Sequence, residues 1–312
     1  MLSVSQLFIY PVKSLGGISV DHAVVTNTGL QYDRKWMLVD DSMRCITQRE
    51  LPSLALLQAE ITGEGLKIYH KLHNEEFILI PFLTGTGKRH FVQIFDDITE
   101  AVFVSAEADN WFSKMLSVKC RLVYMPDSIK RLVDEKYAKD NEVTGFADAF
   151  PFLIIGQASL RDLNCRLVQA LPMNRFRPNI VFTGGKPYQE DIMEHFTISG
   201  INFYGVKLCA RCIIPTINQN TAHKLKEPLK TLATYRQKNN KIYFGQNLLA
   251  AGTGTLSIGD VLEIKKVNAS DALSFKHCYK RAYKKAPQSG THLNQTVLPE
   301  TILKSKSAKG PS

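Results

Sequence analysis

Short strand-like stretches crowd the first third of this chain, and they constrain its fold more than any other feature. They cover residues 4–10, 18–26, 35–40, 44–49, 55–62, 66–70, 76–82, 91–95 and 100–104. Turn signals such as Asn27-Thr28-Gly29, Gly63-Glu64-Gly65 and Gly85-Thr86-Gly87 separate several of them. Strands this short at this spacing predict an all-β barrel or sandwich.

The pattern then changes. Ser105 reads as an N-cap, with Glu107 and Asp109 in the first turn of a helix running to about Leu116. A strand is expected over 119–125, and the polar stretch 126–147 reads as a surface excursion or lid. Beyond it the sequence predicts a buried strand at 151–155, a helix over 157–169 and a strand over 176–182. A hairpin of 196–198 with 202–207 follows, then a helix over 227–236 and strands at 244–251 and 255–264. The expected class is α+β and β-rich. Residues 269–312 read as a basic, disordered tail.

Charge sorts the function classes. The net charge is +10, but residues 271–312 hold 8 Lys or Arg against 2 Asp or Glu, which leaves only +4 for the rest. The excess belongs to the tail, so no specific nucleic-acid binding is expected. No run has the roughly 18 apolar residues of a membrane span, and the first residues lack the pattern of a signal peptide. A cytoplasmic protein is the expectation. Six cysteines, at 45, 120, 165, 209, 212 and 278, are too dispersed for a disulfide framework.

The chemistry concentrates in Lys207-Leu208-Cys209-Ala210-Arg211-Cys212. A cysteine pair of this spacing serves a redox disulfide, half a zinc site or a buried apolar contact. Zinc needs further Cys or His ligands at recognisable spacing, and neither His195 nor His223 belongs to such a pattern. A thioredoxin-like site needs a helix after the pair, whereas 213–217 reads as extended. A single-thiolate metal centre, with arginines holding an anionic cofactor, remains open. Candidates around it are Lys13 and Ser14 at the end of the first strand and Arg34 beside Asp33. Asp148 stands in an apolar segment, and Arg177 and Asn179 are placed by strand alternation on one side.

Taken together, Phe8 to Ser14, Asp33-Arg34, Asp148 before Pro151, Phe176-Arg177-Pro178-Asn179, Cys209 to Cys212, Glu227 to Leu232 and Phe244 to Asn247 resemble the MOSC-domain family with its N-terminal β-barrel domain. The likeness is to bacterial members related to the mitochondrial amidoxime reducing component, and it implies an N-terminal β-barrel domain (1–110) followed by a MOSC β-barrel domain with a few helices (111–268) ahead of the tail. It implies a molybdenum cofactor (Mo-molybdopterin) ligated by Cys212. By motif position Lys13, Ser14, Arg34, Arg177, Asn179 and Arg211 bind its phosphate and pterin. Asp148 falls at the acidic position near the metal, where the resemblance implies a catalytic role in relaying protons, and Asn247 on a loop closing the pocket.

The implied activity is reduction of small N-hydroxylated compounds, such as hydroxylaminopurines, amidoximes and hydroxylamines. Electrons would come from an external donor, a flavoprotein reductase or ferredoxin. Only Cys278 lies beyond Cys212, so this chain cannot build a four-cysteine iron-sulfur cluster from its tail. Ala210 replaces a serine common between the cysteines, and Ala149 and Phe150 replace small hydroxyl residues of the mitochondrial relatives. The alternative is a persulfide or cofactor carrier without reductase activity. Pyridoxal phosphate attaches to the family through sulfurase modules, and this chain has no stretch large enough to be one.

Overall fold

The computed structural model describes residues 1–82, 87–138 and 140–268. The expected basic tail therefore lies outside the described residues. Seven strands form a closed barrel: β1 (Leu2–Ile9), β2 (Phe152–Gly156), β3 (Ile180–Thr183), β4 (Met193–Ile198), β5 (Ile201–Ala210), β6 (Lys241–Ala251) and β7 (Val261–Val267). Round the ring they run β2-β3-β1-β7-β4-β5-β6, and pairing of β6 with β2 closes it. Only β2 and β3 are parallel neighbours. Closure leaves these seven strands no free edge, and residues alternate between the apolar interior and the outside. Leu7, Ile9, Ile154, Phe182, Phe196, Phe203 and Leu248 fill the interior and are all buried.

The sheets cross the boundary expected at residue 110, because β1 is hydrogen-bonded into the barrel against β3 and β7. The stretch 18–26, expected as one strand, is two: Ile18–Val20 pairs with β1, while His22–Thr26 joins Gly29–Leu30 and Gly254–Ser257 over the barrel core. A second unit packs a four-stranded antiparallel sheet (Trp36–Val39, Arg121–Tyr124, Asp97–Phe103, Arg89–Ile94) and a three-stranded one (Leu57–Ile61, Leu66–His70, His73–Ile80) with helix α1 (Ala106–Leu116). In α1 the Ser105 hydroxyl accepts the Ala108 N–H at 3.0 Å, and Ala108, Phe112 and Leu116 form its buried face. Such a cap contributes about 1 kcal/mol.

Four other expectations are corrected. Residues 44–49 form no strand; isolated bridges to Val39 and Gln93 lead into a turn. Helix α2 (Gln157–Asn164) stops short of 169, where Asn164 turns its amide onto the Leu171 main chain. Residues 213–217 are not extended, since Ile214–Thr216 makes a single 3-10 turn. The stretch 126–147 is no simple surface excursion: Arg131, Val143, Thr144 and Phe146 are buried. Arg131 straps it down by donating to Gly145 O (2.9 Å) and Ala147 O (2.7 Å). Helix α3 (Leu229–Arg236) lies against β6.

Beneath α2 and α3 lies a buried polar cluster. Ser159 donates to Glu190 (2.8 Å), Arg236 pairs with Asp191 (2.7 Å), and the Tyr188 hydroxyl meets Asp162 (2.6 Å) and Tyr235 (2.8 Å). Burial first, and the Asp191 charge second, push the Glu190 carboxyl up to about 7. A raised acid pKa favours folding fully below the unfolded value near 4.5, and that contribution is lost as pH rises through 7. Glu190→Gln is therefore expected to raise the urea midpoint at pH 8 and to change it little at pH 5, as equilibrium unfolding at the two pH values would show.

Candidate functional site

One rim of the barrel gathers the chemistry. The C-terminal ends of β1 and β5 and the N-terminal ends of β2 and β3 meet there, as antiparallel pairing of β1 with β3 requires. A cleft opens at this rim. It is lined by all nine residues singled out from the sequence: Lys13, Ser14, Arg34, Asp148, Arg177, Asn179, Arg211, Cys212 and Asn247.

The backbone takes unusual shapes to achieve this. Ser14, Arg34 and Arg177 have φ of 69°, 49° and 55°, a left-handed region that costs non-glycine residues energy. Arg177 is thus not in a strand, because the chain turns at Met173–Arg175 and β3 begins only at Ile180. Gly145 lets the Asp148 segment approach Arg34 closely. A Cβ there would sit 2.7 Å from Arg34 O, the same oxygen that accepts the Phe146 N–H at 2.7 Å.

Charge dominates the cleft. Six cations line it, namely Lys13, Arg34, Arg49, Arg175, Arg177 and Arg211, against the single carboxylate of Asp148. Lys13 donates to Asp148 at 2.5 Å and to Phe146 O at 2.8 Å, and Arg49 reaches the other carboxylate oxygen at 3.3 Å. Both cations lie over the Phe95 ring. Desolvation raises the Asp148 pKa, but Lys13 above all, then Arg49 and Arg34, outweigh it and hold the carboxyl at about 2. Asp148 is consequently ionised at neutral pH. Burial lowers the Lys13 pKa, and Asp148 opposes that shift.

Behind this pair, Asp33 accepts from Arg34 (2.6 Å) and from the Tyr10 main chain (2.7 Å). Arg34 and Arg177 both lie over the Tyr10 ring, at 4.3 and 4.2 Å from its centroid. Burial pushes the Tyr10 hydroxyl up to about 12 and brings Arg177 down to about 10.

The two cysteines differ. Cys209 packs against an apolar cluster and accepts from Arg211 at 2.8 Å, while the same guanidinium also donates to Phe176 O. Cys212 is a half-buried free thiol on the cleft wall. Asn179 reaches the cleft with its amide already committed, accepting from Leu153 N (3.2 Å) and donating to Phe8 O (3.3 Å). Asn247 stands within β6, not on a loop, and donates to Lys207 O at 3.1 Å.

Two cations of the cleft were not among the nine. Arg49 carries no local motif beyond a run of cations. Arg175 shares the odd-numbered spacing of Arg177 and Asn179, a signal present in the sequence.

The fold and cleft define a β-barrel protein that presents a thiol beside a polycationic site. Comparisons with known proteins sharpen that class. The MOSC N-terminal beta barrel domain matches residues 1–119, and the MOSC domain matches residues 141–263. Mitochondrial amidoxime-reducing component 1 of Homo sapiens is 32% identical over 276 residues, covering 83% of this chain and 81% of that protein. Mitochondrial amidoxime reducing component 2 of Bos taurus is 32% identical over 275 residues, with 83% and 82% covered. A molybdenum cofactor sulfurase of Oryza sativa subsp. japonica is 32% identical over 272 residues, 78% of this chain but 32% of that protein. The chain belongs to the MOSC family, in its two-part form with an N-terminal barrel domain.

Lys13→Met removes the strongest of the interactions that lower the Asp148 pKa and leaves Arg49 and Arg34 to oppose desolvation. The Asp148 carboxyl is then expected to titrate at least about one unit higher, measured by carbon NMR of labelled aspartate.

Proposed function

We propose that this protein is a molybdenum-cofactor-dependent oxidoreductase that reduces N-hydroxylated compounds to the corresponding amines or amidines. One observation carries the reading. Three arginines lining the cleft, Arg49, Arg175 and Arg211, each keep a buried guanidinium nitrogen with no partner in the protein, beside the half-buried thiol of Cys212. Buried donors are ordinarily satisfied, and an anionic ligand rich in acceptors satisfies these.

The donor set fits such a group. Among the described residues no cluster of three or more His, Cys, Asp or Glu side chains could hold a metal ion, so a metal at Cys212 must bring most of its own ligands, as a dithiolene cofactor does. Cys212 would supply the protein thiolate, and Lys13, Ser14, Arg34, Arg177 and Arg211 would hold phosphate and pterin. When bound, the cofactor supplies the two-electron chemistry that removes oxygen from the N–O bond.

This chain's residues bind, orient and manage protons. With its carboxyl at about 2, Asp148 orients a water or the substrate N–H, while the neighbouring Lys13 ammonium stores the proton. A separate donor, a flavoprotein reductase or ferredoxin, supplies the electrons. In this reading a cytoplasmic enzyme of this kind removes toxic N-hydroxylated base analogues.

The cysteines provide the test. Cys212→Ala is expected to abolish reduction of hydroxylaminopurine and amidoxime substrates, while Cys209→Ala keeps most of it because that thiol packs and accepts from Arg211. Equal loss in both variants would indicate dithiol chemistry and overturn the single-thiolate role of Cys212.

A further inference from the structure

Among the described residues every cation of the cleft but one has a carboxylate, sulfur or aromatic partner. Lys13 and Arg49 share Asp148, Arg34 has Asp33, Arg211 has the Cys209 sulfur, and Arg177 lies on Tyr10. Arg175 is only 3% exposed and forms no ion pair with any carboxylate among the described residues. Its Nε donates to Pro215 O at 2.9 Å, while Nη2 is buried without a partner. A buried charge without a counter-charge is among the costliest features a fold can retain.

Local structure prevents relief. Arg175 ends the tight turn Met173–Arg175, closed by the Phe176 N–H to Met173 O at 3.0 Å. Pro215 belongs to the turn Ile214–Thr216, which the Thr216 hydroxyl pins to Ile213 O at 2.6 Å. That second turn begins two residues after Cys212. The guanidinium therefore bridges two fixed turns on the cleft wall beside the thiol.

We propose that Arg175 is a binding residue of the cleft, clamping the turn after Cys212 with one N–H and holding a phosphate-type oxyanion with another. The oxyanion completes the missing counter-charge, and the fold keeps Arg175 charged at some cost to its ligand-free stability. Such an exchange of stability for binding is expected where a site awaits a ligand. The inference rests on the reading of the cleft as an anion site; it does not require that molybdenum be the metal.

The test uses the full chain and inorganic phosphate as probe, read by thermal denaturation. Wild-type protein is expected to gain melting temperature as phosphate rises. In Arg175→Met the ligand-free melting temperature should equal or exceed that of wild type, while the phosphate midpoint moves up about tenfold or more. Arg175→Lys should recover part of the response. A second arm measures pterin content per chain after purification. Loss of pterin in Arg175→Met, with no response of wild type to free phosphate, assigns the oxyanion to the cofactor itself and supports the proposal. An unchanged phosphate midpoint together with unchanged pterin content would overturn it. Wild-type protein that responds to phosphate through Arg175 yet carries no molybdenum would keep this inference and defeat the molybdenum reading.

Discussion

The structure depends on an electrostatic imbalance: six cations converge at one rim of the barrel, and a single carboxylate lines the cleft with them. Like charges this close repel, and desolvation raises the cost of each. The protein answers with local neutralisation, Asp33 for Arg34 and Asp148 for Lys13 and Arg49, and with aromatic faces at Tyr10 and Phe95. What remains uncompensated is the binding potential of the site. A ligand with several negative charges and many acceptors relieves the imbalance, whereas a neutral small molecule does not.

Holding such a site open requires a rigid frame that draws on both halves of the chain. Lys13, Ser14, Arg34 and Arg49 come from the first half, and Arg175, Arg177, Arg211 and Cys212 from the second. Gln48 and Gln219 join the halves through a reciprocal amide pair at 3.2 and 3.0 Å, and Gln48 also holds Ser14 O. Lys71 adds a bond to Gln219 O, and Lys224 one to Arg49 O. The segment following Cys212 is thus anchored on the opposite unit. The barrel and its neighbour therefore act as a single scaffold, which pre-organises the thiol and cations.

Elements with a strong local signal were legible in the sequence. Ser105 and the spacing of Ala108, Phe112 and Leu116 specify α1, and Ser199-Gly200 marks the β4–β5 hairpin. The strand-rich class followed from spacing. A barrel was among the expected forms, but which strands close it was not legible, because the pairing of β2 with β6 joins residues roughly a hundred positions apart and leaves no local trace. The errors also have physical causes. Residues 44–49 have strand-like composition, but tertiary contacts set them as a turn that brings Arg49 to the cleft. Residues 176–179 break the expected strand because Arg177 adopts a left-handed backbone, which propensity disfavours and only its packing explains. The candidate residues were found through family likeness to motifs scattered along the chain; their convergence in one cleft is a property of the fold.

The account's central claim is that the cleft holds a molybdenum cofactor at Cys212. Elemental and pterin analysis of the full chain, purified from a host that makes the cofactor, tests it most directly. The account predicts near-stoichiometric molybdenum together with a releasable pterin. Protein that carries labile sulfane sulfur on its cysteines, with neither metal nor pterin, would contradict it.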